Sequence, residues 1–239
     1  MSMGISDHTT KAFDADLLTL TQMIAEMGGC AEKQLADSIE ALVTRDHDRA
    51  QRVIAADATI DELQRSIEER AVATIATRQP MAVDLRDIVA VLRIANELER
   101  IGDLAKNVSR RVTTLTGKDM PRKALGGVKH ISTLAQRQLR DVLDSFGRRD
   151  VSMATSVWAR DEEIDALYTS LFRELLTYMM EDPEMVTFGI HMLFCAKNIE
   201  RIGDHATNIA EAVYYMVEGH SFPDERRKAD ATAAIGLHH

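Results

Sequence analysis

Glu99-Arg100-Ile101-Gly102-Asp103 recurs unchanged as Glu200-Arg201-Ile202-Gly203-Asp204, and this pair of pentapeptides decides how the rest of the chain is read. Downstream, at the same offset of 101 residues, Ala105, Asn107 and Val108 match Ala206, Asn208 and, conservatively, Ile209. Upstream, residues 46–66 align with 150–170 at an offset of 104. There Asp46, Ala50, Val53, Ala55, Asp57, Ile60, Asp61, Leu63 and Ser66 recur as Asp150, Ala154, Val157, Ala159, Asp161, Ile164, Asp165, Leu167 and Ser170. The change of offset places a three-residue loss near Pro80 and Pro183. A turn tolerates such a loss best. The chain is a tandem duplication.

Each copy reads as three helices. The first copy places them near 14–44, 46–77 and 83–115, the second near 122–146, 150–180 and 184–217. Pro80 and Pro183 separate the second helix of each copy from the third, because proline fixes φ and lacks the N–H that would continue a helix. In the third helix Val91, Ala95, Leu98, Ile101, Ala105, Val108 and Val112 recur every three or four positions, the spacing of one buried helical face. Three long helices with short connections close around one seam. The expected organisation is all-α: a first bundle over 1–118, a second over 119–219, and a polar, alanine-rich tail over 220–239 expected to be disordered.

Composition agrees and excludes much else. Of 239 residues, 45% are apolar and 5% aromatic, with only 12 glycines and 4 prolines. That suits long helices rather than a β-sandwich or barrel. Lys and Arg total 29 against 38 Asp and Glu, so the net charge of −9 argues against a nucleic-acid partner. No signal peptide or span of about 18 uncharged apolar residues is visible, and a soluble intracellular protein is expected. Cys30 and Cys195 make neither a zinc ribbon nor a disulfide scaffold. No P-loop, dinucleotide turn or nucleophile elbow occurs.

The repeated acids are the chemical signal. At about 100° per residue, Glu99, Asp103 and Asn107 fall at about 100°, 140° and 180° from the seam residue Leu98. Glu200, Asp204 and Asn208 repeat this around Ile199. On the second helix Asp57 and Asp61 flank Ile60, as Asp161 and Asp165 flank Ile164, at the edge of the buried face. Carboxylates from two helices can therefore line one groove in each copy. Two of them about 6 Å apart repel by about 0.7 kcal/mol in water but roughly 3 kcal/mol at an effective dielectric of about 20, so a desolvated cluster needs a cation or arginines. A solvated face without a ligand is the plain alternative. Survival of the same acids in both copies favours metal binding at Glu99, Asp103, Asp57, Asp61 and Asn107, and at Glu200, Asp204, Asp161, Asp165 and Asn208. Oxygen donors suit magnesium, manganese, calcium or iron.

Other features have simpler expectations. His205 follows Asp204 but points about 100° away from it. Arg100 and Arg201 are placed for ion pairs with Asp103 and Asp204. Gly102 and Gly203 face the seam, and recurrence of a helix-weakening residue implies close helix approach. A basic run of Lys106, Arg110, Arg111, Lys118, Arg122, Lys123 and Lys129 is either a solvated turn or a surface for an anionic partner.

The duplicated Glu-Arg-Ile-Gly-Asp, the phrase Gln79-Pro80-Met81-Ala82-Val83-Asp84-Leu85-Arg86 and the Asp-x-x-x-Asp pairs resemble the PhoU family over roughly residues 13–219. The resemblance implies two three-helix bundles related by a pseudo-twofold axis, with surface metal clusters on Glu99 and Asp103 and on Glu200 and Asp204. It also implies a cytoplasmic, non-enzymatic homodimer that restrains phosphate uptake and the phosphate-starvation regulon. Its implied partners are the cytoplasmic components of a phosphate ABC transporter and a sensor histidine kinase, with membrane contact only through them. Its implied ions are iron, zinc, magnesium or manganese. Met185 stands where Asp84 would align, so the two sites are expected to differ. A metal-dependent hydrolase or a metal-storage bundle would use the same carboxylates.

Overall fold

A computed structural model describes the backbone of residues 3–115 and 122–223 and the side chains of 12–115 and 124–223. The described residues form α1 (Met3–Thr44), α2 (His47–Arg78), α3 (Val83–Thr114), α4 (Arg122–Arg148), α5 (Val151–Ala159), α6 (Asp161–Glu181) and α7 (Val186–Glu218), with a 3-10 turn at Pro183–Met185 and no strand among them. The six expected helices are present, but the fifth is broken in two at Arg160. The expected junction at 118/119 lies outside the described residues. No described helix is long and apolar enough to cross a membrane.

The repeat shows in the turns as well as the motif. Asp46 and Asp150 cap α2 and α5, each accepting from the backbone N–H three residues on, at 2.8 Å from Arg49 and 3.0 Å from Met153. That satisfies a donor that a helix start leaves unpaired. Just before each cap, Arg45 and Arg149 hold left-handed φ values of 56° and 53°, closing α1 and α4. Arg160 has no such match, because its counterpart Ala56 lies inside an unbroken helix. Its guanidinium instead reaches α4, donating from Nη2 to Asp141 Oδ2 at 2.6 Å. The chain restarts as α6 with Asp161, Glu162 and Glu163 in its first turn, where the positive end of the helix dipole favours acids.

Helices α1, α2 and α3 pack as one bundle, and α4, α5–α6 and α7 as the other. The bundles join where α3 meets α7 and α1 meets α4, each helix against its own counterpart. That is the pattern a twofold axis produces. Along the α3–α7 seam Arg93 lies over the Tyr215 ring at 5.0 Å, Glu97 meets His205 at 2.6 Å, and Arg111 lies over Phe194 at 4.6 Å. Position rises on α3 as it falls on α7, so the two run antiparallel.

The core runs through both bundles, with Ile94, Leu98, Ile101 and Val108 of α3 and Met192, Ile199, Ile202 and Ile209 of α7 fully buried. The glycines of the repeated motif sit where the second helix crowds closest. A Cβ on Gly102 would lie 2.9 Å from Ile60 Cδ1 and 3.0 Å from Gln34 Oε1. On Gly203 it would lie 2.8 Å from Ile164 Cδ1 and 3.2 Å from Gln138 Oε1. Close approach is the reason for both. At the start of the expected tail, Phe222 stacks on Trp158 at 4.9 Å with planes 8° apart. Residues 224–239 lie outside the described residues.

Candidate metal centre

The second repeat brings carboxylates from α6 and α7 together. Asp161 opens α6, Asp165 follows one turn on, and Asp204 projects from α7. One oxygen of each lies within 4.8 Å of the other two. Asp161 and Asp165 are only 3% and 2% exposed. At an effective dielectric of about 20, charges at that separation repel by about 3 kcal/mol per pair. Glu200, one turn before Asp204, is also 3% exposed. Its Oε1 accepts from Lys197 Nζ at 2.9 Å, and its Oε2 has no hydrogen-bond partner among the described residues. Burial pushes the Glu200 carboxyl up to about 7; the Lys197 hydrogen bond opposes this and the Asp204 and Asp165 charges reinforce it. Thr207 Oγ1 stands 3.1 Å from both Asp161 Oδ1 and the Gly203 carbonyl oxygen, to either of which its proton can be donated.

The first repeat arranges the same acids around an ammonium. Lys106 donates to the carboxylate of Asp57 on α2 and to Asp103 Oδ1 on α3, the latter at 2.8 Å. Gln34 donates to Asp57 Oδ1 and to the Val53 carbonyl, both at 3.3 Å. Arg100 lies 3.4 Å from Glu99 and 3.9 Å from Asp103, the expected short-range pairing. Partial burial works to raise the Asp103 carboxyl, but the Lys106 hydrogen bond and charge outweigh it and hold the carboxyl below its ordinary range. Burial would likewise lower Lys106, yet its bonds to Asp103 and Asp57 raise it. Glu99 is raised, first by burial and then by the Asp103 charge, with Asp61 adding to it.

Eight of the ten expected ligands thus gather in two clusters, and two do not. Asn107 accepts from Arg110 Nη1 at 3.4 Å, while Asn208 donates to Glu97 Oε2 at 3.0 Å across the seam. Asn107 thus pairs within its own helix, while Asn208 reaches the other bundle. His205 is also turned there, toward Glu97. Burial would raise Glu97, but the His205 and Asn208 bonds prevail and lower it. Among the described residues of the basic run, Lys106 bonds Asp57 and Asp103, Arg111 lies over the Phe194 ring, and Arg110 and Lys129 are exposed. Lys118 and the side chains of Arg122 and Lys123 lie outside the described residues. Cys195 is buried, and desolvation pushes its thiol up to about 12, so it is packing rather than a nucleophile. Sequence reasoning missed Lys106 as part of the first cluster, although its signal was present: Thr207 stands at the matching position.

Fold and site together define a duplicated antiparallel helical-bundle protein with one acidic cluster per repeat. The PhoU domain model matches residues 24–112 and again 128–213, one match per repeat. A "phosphate-specific transport system accessory protein PhoU homolog" of Rhizobium meliloti (strain 1021) is 55% identical, covering 96% of this chain and 97% of that protein. A protein of the same description from Caulobacter vibrioides (strain NA1000 / CB15N) is 47% identical, over 95% and 98%. The crystal structure of PhoU from Pseudomonas aeruginosa matches with a TM-score of 0.84 at 39% identity, covering 87% of this chain and 100% of that one. The phosphate transport system regulatory protein PhoU from Streptococcus pneumoniae matches at 0.81 with 27% identity, over 88% and 99%. The chain belongs to the PhoU family.

Proposed function

We propose that this protein is an accessory regulator of phosphate-specific transport, holding uptake and the phosphate-starvation response in check while phosphate is plentiful. The observation that carries this is the end-to-end match to accessory proteins of that system, collinear through both repeats. It acts in the cytoplasm as a homodimeric adaptor between the phosphate ABC transporter's cytoplasmic components and a sensor histidine kinase. It has no chemistry of its own.

The second-repeat cluster fits a hard divalent cation. Asp161, Asp165 and Asp204 supply three convergent oxygens, and Glu200 Oε2 is a buried acceptor without a hydrogen-bond partner among the described residues. A bound cation there neutralises the crowded acids and ties α6 to α7. Manganese, magnesium or iron(II) suits this all-oxygen set better than zinc.

The test is genetic. Deleting the gene derepresses phosphate-starvation genes in phosphate-rich medium, measured by a reporter, and the intact chain restores repression. Normal repression in the deletion strain sinks the regulatory role. Hydrolysis of phosphate esters by the purified protein, lost in Asp204→Asn, would move it to the enzyme class.

A further inference from the structure

Away from the acidic clusters, the repeats differ in the cleft between their first and second helices. In the first repeat this cleft measures about 330 Å3, with Lys33 and Asp37 of α1 facing Arg49, Arg52 and Ala56 of α2. In the second repeat the matching place is filled from within. Arg160 stands where the first repeat has Ala56, and its guanidinium bonds Asp141, the counterpart of Asp37, at 2.6 Å. Charge changes in step with bulk. Met153, Ser156 and Glu163 stand where the first repeat has Arg49, Arg52 and Thr59. The second repeat thus sets Arg137 and Arg160 against Asp141 and Glu163, whereas in the first Lys33, Arg49 and Arg52 face Asp37. We propose that the α1–α2 cleft of the first repeat binds a small organic phosphate, its charged head on Arg49 and Arg52 and its body on the apolar floor.

The cations are placed by acids but not exhausted by them. Lys33 Nζ donates to Asp37 at 3.1 Å, while Arg49 lies 3.6 Å from Asp37 and 3.5 Å from Asp46, the cap of α2. Both Arg49 distances exceed the about 2.7–3.2 Å of an N–H···O bond, so its fork is held by charge and keeps N–H groups for another acceptor. Arg52 follows three residues later on the exposed side of α2. A phosphate monoester brings about −1.5 to −2 charge near pH 7 and three acceptor oxygens. That suits guanidinium forks, which take phosphate oxygens two at a time. Below the cations, Val53 and Ile60 are buried and Cys30 is half-buried, a floor for an uncharged body. The volume is at the lower end for small-molecule sites. Gln34 in the wall donates to Asp57 Oδ1 at 3.3 Å and so stands between the cleft and the first acidic cluster. None of the acids read above as metal ligands takes part.

Chelator-treated full-length protein is titrated with phenyl phosphate in a calorimeter, with inorganic phosphate in a parallel run. Expected: one phenyl phosphate binds per chain with a Kd of about 1 mM or tighter, and inorganic phosphate binds more weakly. Arg52→Ala weakens binding by about tenfold, the worth of one charged hydrogen-bonding partner. Ala56→Arg, which supplies the arginine that fills the second repeat, abolishes it. Arg173→Ala, an exposed arginine of α6, changes nothing. Equal affinity for the two probes overturns an organic ligand. No binding of phenyl phosphate, an unchanged affinity in Arg52→Ala, or an equal loss in Arg173→Ala overturns the site. Arg52 and Ala56 are both exposed, so both variants keep their helicity by circular dichroism. Should Ala56→Arg unfold, Arg52→Ala against Arg173→Ala decides.

Discussion

The two repeats start from nearly the same acids and solve their repulsion differently. In the first, a lysine three residues past the motif turns back and bridges the two helices. In the second, the same position holds a threonine, and a glutamate raised to about 7 stands beside three clustered aspartates. Each cluster has its own lysine, placed differently: Lys106 follows the motif in the first repeat, and Lys197, where the first repeat has Asn96, precedes it in the second and bonds Glu200. Matching motifs are therefore poor evidence of matching sites until the residues just outside the motif have been compared.

The largest expected effect breaks the first half of this contrast. Lys106→Met, in chelator-treated protein, leaves the buried Asp57 without its counter-charge and costs about 3–5 kcal/mol in urea denaturation. Thr207→Val, the matching change, removes only a hydroxyl donor and costs about 1 kcal/mol. Equal costs would mean the two clusters are energetically alike.

Next comes Glu200. Its carboxyl rises from an ordinary 4.5 to about 7 in the fold. Between those values the folded chain keeps a proton that the unfolded chain has lost, so stability falls as pH rises through the window, by about 3 kcal/mol in all. Glu200→Gln removes that slope and makes metal-free protein roughly 2–3 kcal/mol more stable at pH 8, read from urea midpoints across the pH series. Glu99→Gln has the smaller effect, since Lys106 and Arg100 stand by its cluster. An unchanged slope in Glu200→Gln would place the protonation elsewhere.

The smallest effect comes from the chain's single tryptophan. Trp158 belongs to the second repeat, where Ile54 stands in the first, and it donates from Nε1 to Glu211 at 3.1 Å. Phe222→Ala removes its stacking partner and costs about 1 kcal/mol, with red-shifted emission. An unshifted spectrum would show that residues 220–223 do not cover the indole in solution.

Much of this was legible in the sequence, for identifiable reasons. Self-alignment exposes a duplication because buried positions and turn caps, such as Asp46 and Asp150, have the same task in both copies. The helical wheel brings Asp161, Asp165 and Asp204 into one groove because a wheel orders faces correctly. It cannot say which neighbour each face meets, and so it kept Asn107 and Asn208 with acids from which they turn away. The break at Arg160 was hidden because arginine is a good helix former and its partner Asp141 lies on another helix. The role of Lys106 between two carboxylates is hidden from self-alignment, which marks what the copies share, because Thr207 stands at its matching position.

The antiparallel seam has an evolutionary consequence. Counterpart helices meeting each other is how two identical one-repeat chains would assemble, and such a pair must place every residue twice. Once both halves are joined in one gene, each half mutates alone. Glu97 can face His205 while their images are Asn198 and Leu104. By the same freedom one half can carry a lysine where its sister carries a threonine, a division of labour that no symmetric ancestor could have held.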